Sequence, residues 1–168
     1  GARFLSRCTN YFINKQKSSK KITVLVATSG DTGAAVANSF YDLDGINVII
    51  LYPSKKVSNI REKQLTTLSK NITALEIKGT FDDCQSMVKH AFLDNDINNK
   101  LNLTSANSIN VGRWLPQMLY YFISYKKLNN TYKNLAFSVP SGNFGNICAG
   151  MIAQKLGLPI QKFISANN

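Results

Sequence analysis

The chain has 168 residues, with 20 lysines and arginines against nine acids and a single histidine, a net charge of +11, and 44% hydrophobic residues. That is enough chain for one domain, or one and part of another, around a substantial core. No apolar run approaches the roughly 20 residues a bilayer-crossing helix needs. Cys8, Cys84 and Cys148 are widely spaced beside a lone His90 and support neither a disulfide framework nor a zinc site. A reducing, cytoplasmic setting is the simpler expectation, with no membrane partner.

The lysines gather at Lys15 to Lys21, Lys55-Lys56 and Lys126-Lys127 without any helix-turn-helix, zinc-finger or aromatic RNA-binding motif. They are expected to be a solvated surface, and no nucleic-acid partner is expected. The first residues, Gly-Ala-Arg-Phe-Leu-Ser-Arg, hold neither an initiator Met nor the apolar stretch of a signal peptide, so the chain is expected to be a piece of a longer one, incomplete at both ends. Oligomeric state has no signature here.

In chain order, Phe4 to Ile13 has helical character. A polar stretch from Asn14 to Lys20 then leads into Ile22-Thr23-Val24-Leu25-Val26-Ala27, a continuous run typical of a strand buried on both faces. After a glycine loop, Val36, Ala37, Phe40 and Leu43 recur at helical spacing, and Asn47 to Tyr52 is another buried strand ended by Pro53. A helix over Ser58 to Leu68, a strand over Ile72 to Ile77 and a helix from Thr80 continue the alternation. Thr80 and Asp83 stand at capping-box spacing, and Phe81, Cys84, Val88 and Phe92 form one apolar face, which leaves Cys84 and His90 without a ligand role.

Asp94 to Leu103 reads as a polar connection. Thr104-Ser105-Ala106-Asn107-Ser108-Ile109-Asn110 then concentrates hydroxyls and amides able to orient a polar ligand. Trp114, Met118, Tyr121 and Tyr125 share helical spacing and are expected in the core, with Pro116 in that helix's first turn. Leu135 to Val139 is the next strand, Cys148, Met151, Ile152 and Leu156 mark the next helix, and Ile160 to Ile164 another strand. Strands alternating with helices predict an α/β fold with mostly parallel sheets flanked by helices, and ligands at the carboxyl ends of the strands.

Two short loops carry the chemistry. Ser29-Gly30-Asp31-Thr32-Gly33 and Ser141-Gly142-Asn143-Phe144-Gly145 each end a strand and open a helix. Free N–H groups at a helix start and a macrodipole of roughly +0.5 charge attract anions, and Gly permits close approach. Ser141 to Asn146 contains no acid, so a phosphate dianion meets no like charge there, and this loop is the expected phosphate grip, using main-chain N–H groups, the Ser141 hydroxyl and the amides of Asn143 and Asn146. In the first loop Asp31 at the helix entrance is able to cap N–H groups but repels a phosphate placed on it, which suits a neutral or donor-bearing part of a ligand. Ordinary strand-to-helix turns are the alternative reading of both.

Val26-Ala27-Thr28-Ser29-Gly30-Asp31-Thr32-Gly33-Ala34-Ala35, Leu51-Tyr52-Pro53 with Val57-Ser58, Ser105 to Asn110 with Arg113, and Val139-Pro140-Ser141-Gly142-Asn143-Phe144-Gly145-Asn146 together resemble the threonine synthase family, in its order and over nearly the whole chain. The resemblance implies the tryptophan-synthase-β-like fold (fold type II) and pyridoxal 5′-phosphate as cofactor. The substrate it implies is a small phosphorylated amino acid, O-phospho-L-homoserine, converted with water to L-threonine and phosphate. It also implies a smaller α/β subdomain over about residues 22–103, with about 104–168 belonging to a larger one.

By position, the resemblance puts Ser141, Gly142, Asn143, Phe144, Gly145 and Asn146 on the cofactor phosphate and Asp31 near the cofactor ring. Ser29, Gly30, Thr32, Asn107, Ser108, Asn110 and Arg113 fall on the substrate side. The lysine that bonds the cofactor in the family belongs to a Phe-Lys-Asp-Phe type motif just ahead of Gly-Ala-Arg-Phe, so no catalytic residue is assigned within the chain. The carboxyl-terminal part that partners the cofactor's ring nitrogen is likewise outside it, and the fragment alone is expected to be inactive. Arg61, where the family often has Gln, is a departure at a loop contact. Serine or threonine dehydratase, a non-catalytic phosphate-binding remnant and a basic nucleic-acid binder are the competing readings.

Overall fold

The computed structural model describes residues 1–16, 20–128 and 134–167. Lys17, inside the first lysine cluster, lies outside the described residues. The chain divides into two compact units, Ala2–Asn107 and Ser108–Asn168 joined by Gly1.

The first unit runs α1 (Ala2–Gln16), β1 (Ile22–Ala27), α2 (Asp31–Phe40), β2 (Ile46–Pro53), α3 (Asn59–Thr66), β3 (Ile72–Ile77), α4 (Phe81–Leu93), α5 (Asn95–Lys100) and β4 (Asn102–Ser105). Its four strands are all parallel, in the order β3-β2-β1-β4, with Val24 opposite Val48 and Thr104, and Val48 opposite Ile72. Alternate side chains of a strand point to opposite faces. Accordingly Val24, Val26, Val48 and Ile50 join Val36, Ala37, Phe40 and Leu65 in one core, while Leu25, Ala27 and Leu51 join Cys84 and Val88 in another. A sheet covered on both sides explains why β1 is apolar throughout.

Local signals account for several of these elements. Thr80 and Asp83 form the expected capping box at the head of α4, and hydrogen bonds from the Thr80 amide and hydroxyl hold the Asp83 carboxyl below its usual pKa. Burial, with Asp83 beside it, pushes the Cys84 thiol up, so it stays protonated.

Residues 94–103 are not a plain connection. Asp94 Oδ1 accepts from the amides of Asp96 and Ile97 at 2.9 and 3.0 Å, which starts α5, and Asn102 then begins β4. This short polar strand is held by its main-chain ladder to β1, which residue type does not disclose.

The second unit runs α6 (Val111–Lys127), β5 (Leu135–Pro140), α7 (Gly145–Lys155) and β6 (Ile160–Ala166), with β5 and β6 parallel. Tyr121 packs edge-on against Phe137 and Phe163 at ring separations of 4.9 and 6.0 Å, and Trp114, Met118 and Tyr125 lie on the same core, as their spacing predicts. Pro116 is not in the first turn. Asn110 caps α6 by accepting from Gly112 N at 2.9 Å, so the helix begins at Val111 and Pro116 lies inside it.

Small residues form the packed face of α7. It is made of Gly145, Ala149, Gly150 and Ala153, while Met151 and Leu156 are exposed. A Cβ on Gly150 would stand 2.6 Å from both Tyr121 and Phe163, so the aromatic rings take the space that larger helix residues would need.

Candidate functional site

The first loop leaves the carboxyl end of β1 and turns into α2. Its organiser is Thr28, only 1% exposed: the hydroxyl accepts from the amides of Gly30 (3.0 Å) and Gly33 (2.9 Å) and donates to the Gly30 carbonyl at 3.1 Å. Thr28 stood in the motif without a role assigned to it. The available signal was a Thr placed five residues before a helical Gly, where its hydroxyl folds back on the free amides.

Asp31 does not cap α2. It is the first helical residue, its carboxylate is 84% exposed, and it pairs with Arg61, whose Nε lies 2.8 Å from Oδ1. Gly30 is buried beneath Arg61, Ser29 is exposed and Thr32 half-buried.

Asn107 is spent on this loop. Its Oδ1 accepts from Ala27 N at 3.1 Å and its Nδ2 donates to Ala27 O at 2.7 Å, so one side chain continues the ladder that β4 makes with β1. The residue was expected on the substrate side. The structure shows it fixing the strand end from which the loop departs.

In the second unit, β5 delivers the chain into Ser141 to Asn146. Phe144 takes a left-handed conformation, φ 57° and ψ 4°, which turns the chain sharply into α7. The turn is braced internally: the Ser141 hydroxyl donates to Asn146 Oδ1 at 2.7 Å, Asn146 Nδ2 donates to the Pro140 carbonyl at 2.7 Å, and Asn146 Oδ1 also accepts from Ile147 N at 2.9 Å. Tyr121 Oη donates to the Asn146 carbonyl at 2.7 Å, and burial raises the Tyr121 pKa, so the phenol keeps that proton. The Ser141 and Asn146 side chains therefore shape the loop.

The amides of Gly142, Asn143, Phe144, Gly145 and Asn146 find no acceptor among the described residues, whereas those of Ile147 and Cys148 do. No acid stands between Pro140 and Lys155. Gly142, Asn143 and Phe144 are exposed, and a Cβ on Gly142 would meet nothing within 4 Å. The head of α7 thus presents open N–H donors and the positive end of an 11-residue helix, an arrangement that accepts an anion.

Ser108 belongs to the same neighbourhood. Its carbonyl accepts from Trp114 Nε1, and its Cβ and that indole nitrogen each lie 3.4 Å from where a Cβ on Gly145 would stand. Arg113, one turn into α6, packs against Gly1, and burial lowers its guanidinium pKa from the usual high value. Asn110 serves as the α6 cap described above. No group of three or more potential metal ligands occurs among the described residues, and no helix there is long and apolar enough to cross a membrane.

No protein-family model matches the chain. Its full length aligns at 48% identity with the threonine synthase of Buchnera aphidicola subsp. Acyrthosiphon pisum, of which it spans 39%. Among solved structures, the threonine synthase of Escherichia coli superposes with a TM-score of 0.85 at 46% identity, over 98% of this chain and 39% of that one. A pyridoxal-phosphate-bound threonine synthase from Brucella melitensis superposes with a TM-score of 0.83 at 39% identity, over 98% of this chain and 35% of that one. The chain is thus similar from end to end to one segment of threonine synthases, and its parallel sheets flanked by helices are the fold of that segment.

Proposed function

We propose that this chain is part of a threonine synthase, a pyridoxal-phosphate-dependent lyase, and supplies the cofactor's phosphate grip and residues of the substrate side. The whole enzyme converts O-phospho-L-homoserine and water to L-threonine and phosphate. The observation that carries this reading is the acid-free run of unclaimed amides from Gly142 to Asn146 at the head of α7, within a chain similar throughout to threonine synthases.

The loop fits a phosphate monoester on three counts. Its donors are main-chain N–H groups already fixed by the Ser141–Asn146–Pro140 bracing, its charge environment is positive, and the surface at Gly142 is unobstructed. Hydrogen bonds to a charged acceptor are worth about 1.5–3 kcal/mol each, so a few suffice to anchor a cofactor. Asn143, exposed at the centre of the run, adds a neutral side-chain donor. When bound, the cofactor supplies the electron sink that labilises protons beside the substrate's amino-bearing carbon.

This chain's residues bind and orient. Ser29, Gly30 and Thr32 present the first loop to the substrate, Asp31 lies at the cofactor ring, and Ser108 and Arg113 contribute contacts for the substrate's anionic groups, Arg113 through a planar fork of donors. Asn107 and Asn110 act by holding the strand end and the helix start on which those residues stand. The lysine that bonds the cofactor belongs, in this reading, ahead of Gly1, and residues about 22–103 form the smaller subdomain of the enzyme.

The longer protein, loaded with pyridoxal phosphate and given O-phospho-L-homoserine, is expected to release phosphate and form threonine in equal amounts. Release of ammonia and a keto acid from serine or threonine, without phosphate release from phosphohomoserine, would assign a dehydratase instead. Failure of both reactions would leave only a phosphate-binding role.

A further inference from the structure

Two neighbouring apolar strands are each interrupted by a small polar residue, Thr23 in β1 and Asn47 in β2. The parallel register sets Thr23 opposite Asn47, so the two side chains share one face of the sheet. Both line a cavity of about 430 Å³ that opens where the strands begin. Thr23 is only 3% exposed, and neither its hydroxyl nor the Asn47 side-chain amide has a hydrogen-bond partner among the described residues. A polar group buried in this way is costly unless something bonds to it, and what enters the cavity is in reach of both.

The walls supply charge of one sign. Lys20 and Lys21, which lead into β1, and Lys100, the last residue of α5, line the cavity together with Asn102 at the start of β4, and no acid is among the described lining residues. The α5 wall is fixed: Asn98 Nδ2 donates to the carbonyls of Phe92 and Asp94 at 2.7 and 3.0 Å, tying the end of this helix to the end of α4. Three ammonium groups around neutral donors match a multiply charged anion. A single carboxylate would leave most of that charge unmet, whereas a phosphate dianion or a longer phosphate chain answers it. The volume is that of a small-molecule site and leaves room for a molecular body beside the phosphate.

We propose that this cavity is a second anion site, which takes a phosphorylated small molecule at the amino ends of the strands. The six residues of β1, about 20 Å at the rise of a strand, separate it from the glycine loop that follows Ala27. It is therefore remote from that loop, and it does not depend on the function proposed above.

The test uses the full-length, cofactor-loaded protein, titrated with inorganic pyrophosphate in a calorimeter. The double variant Lys21→Gln/Lys100→Gln is expected to weaken binding at least about tenfold. Thr23→Val keeps a β-branched residue in the strand and removes only the hydroxyl, and is expected to weaken binding about threefold. The control Lys55→Gln/Lys56→Gln removes the same charge from exposed positions that do not line the cavity, and is expected to leave affinity within about twofold.

No binding by the parent, or equal affinity in the parent and the lysine variant of the cavity, would overturn the proposal. An equal loss in the Lys55/Lys56 control would show attraction by net charge alone and would overturn it too. Binding that depends on Lys21 and Lys100 but not on Thr23 would place the anion on the rim rather than in the cavity, with the same result.

Discussion

The two glycine loops share a plan and differ in what becomes of their amides. In both, a parallel strand ends, a glycine lets main chain come close, and a helix begins. In the first, the buried Thr28 hydroxyl takes the Gly30 and Gly33 amides, Asn107 ties down Ala27, and the acid at the helix entrance is matched by Arg61. In the second, the side chains of Ser141 and Asn146 bond to one another and to Pro140, and the five amides from Gly142 to Asn146 meet no acceptor among the described residues. A Ser-Gly-x-x-Gly pattern therefore marks a strand-to-helix turn, while the availability of its donors depends on whether a neighbouring side chain folds back onto them.

Three substitutions, the first with a control beside it, would break or sharpen this contrast in the full-length protein. The largest effect is expected at Gly33, where a Cβ would fall 2.5 Å from Thr28 Cγ2 and 3.0 Å from Leu65 Cδ2. Gly33→Ala should lower unfolding free energy by about 1–3 kcal/mol through overpacking. Gly142→Ala, in open space, should stay within about 0.5 kcal/mol, so that equal losses in chemical denaturation would contradict the packing described.

Next comes Asn143→Asp, which puts a negative charge among the open amides without removing a described hydrogen bond. It should weaken cofactor binding at least about tenfold, or about 1.4 kcal/mol, with little change in the apoprotein's stability. Unaltered affinity in a spectroscopic titration would remove the phosphate from this loop. The smallest of the three is Asn107→Ala, which deletes the two bonds to Ala27 and should cost about 1 kcal/mol of stability. Loss of stability and a raised KM with unaltered cofactor affinity would place it under the first loop, and a change in cofactor affinity alone would not.

Much of the architecture was legible because its causes are local. Ile22–Ala27 and Ile72–Ile77 are strands over the very residues their apolar runs mark, and the Thr80–Asp83 box sits where its spacing puts it. Other elements depended on distant partners. β4 is a strand only because β1 offers it a ladder, and α7 turns its small residues inward because Tyr121 and Phe163 occupy the space beside it. Pro116 was misplaced because the α6 boundary follows from the Asn110 cap, five residues upstream of where a first-turn proline would set it. In the site, residue types located both loops, but the sharing of work among Thr28, Asn107, Ser141 and Asn146 depended on which side chains reached which main-chain groups.

The sequence by itself determined the alternation of strands and helices, the two glycine turns and the acid-free character of the second, because hydropathy period, turn chemistry and charge are properties of neighbouring residues. Only the tertiary structure decided that Arg61 meets Asp31, that Asn107 completes the ladder at Ala27, and that the amides after Ser141 stay open. Each of these joins groups brought together by packing, or depends on the orientation of a side chain within the packed turn, and a linear pattern contains neither.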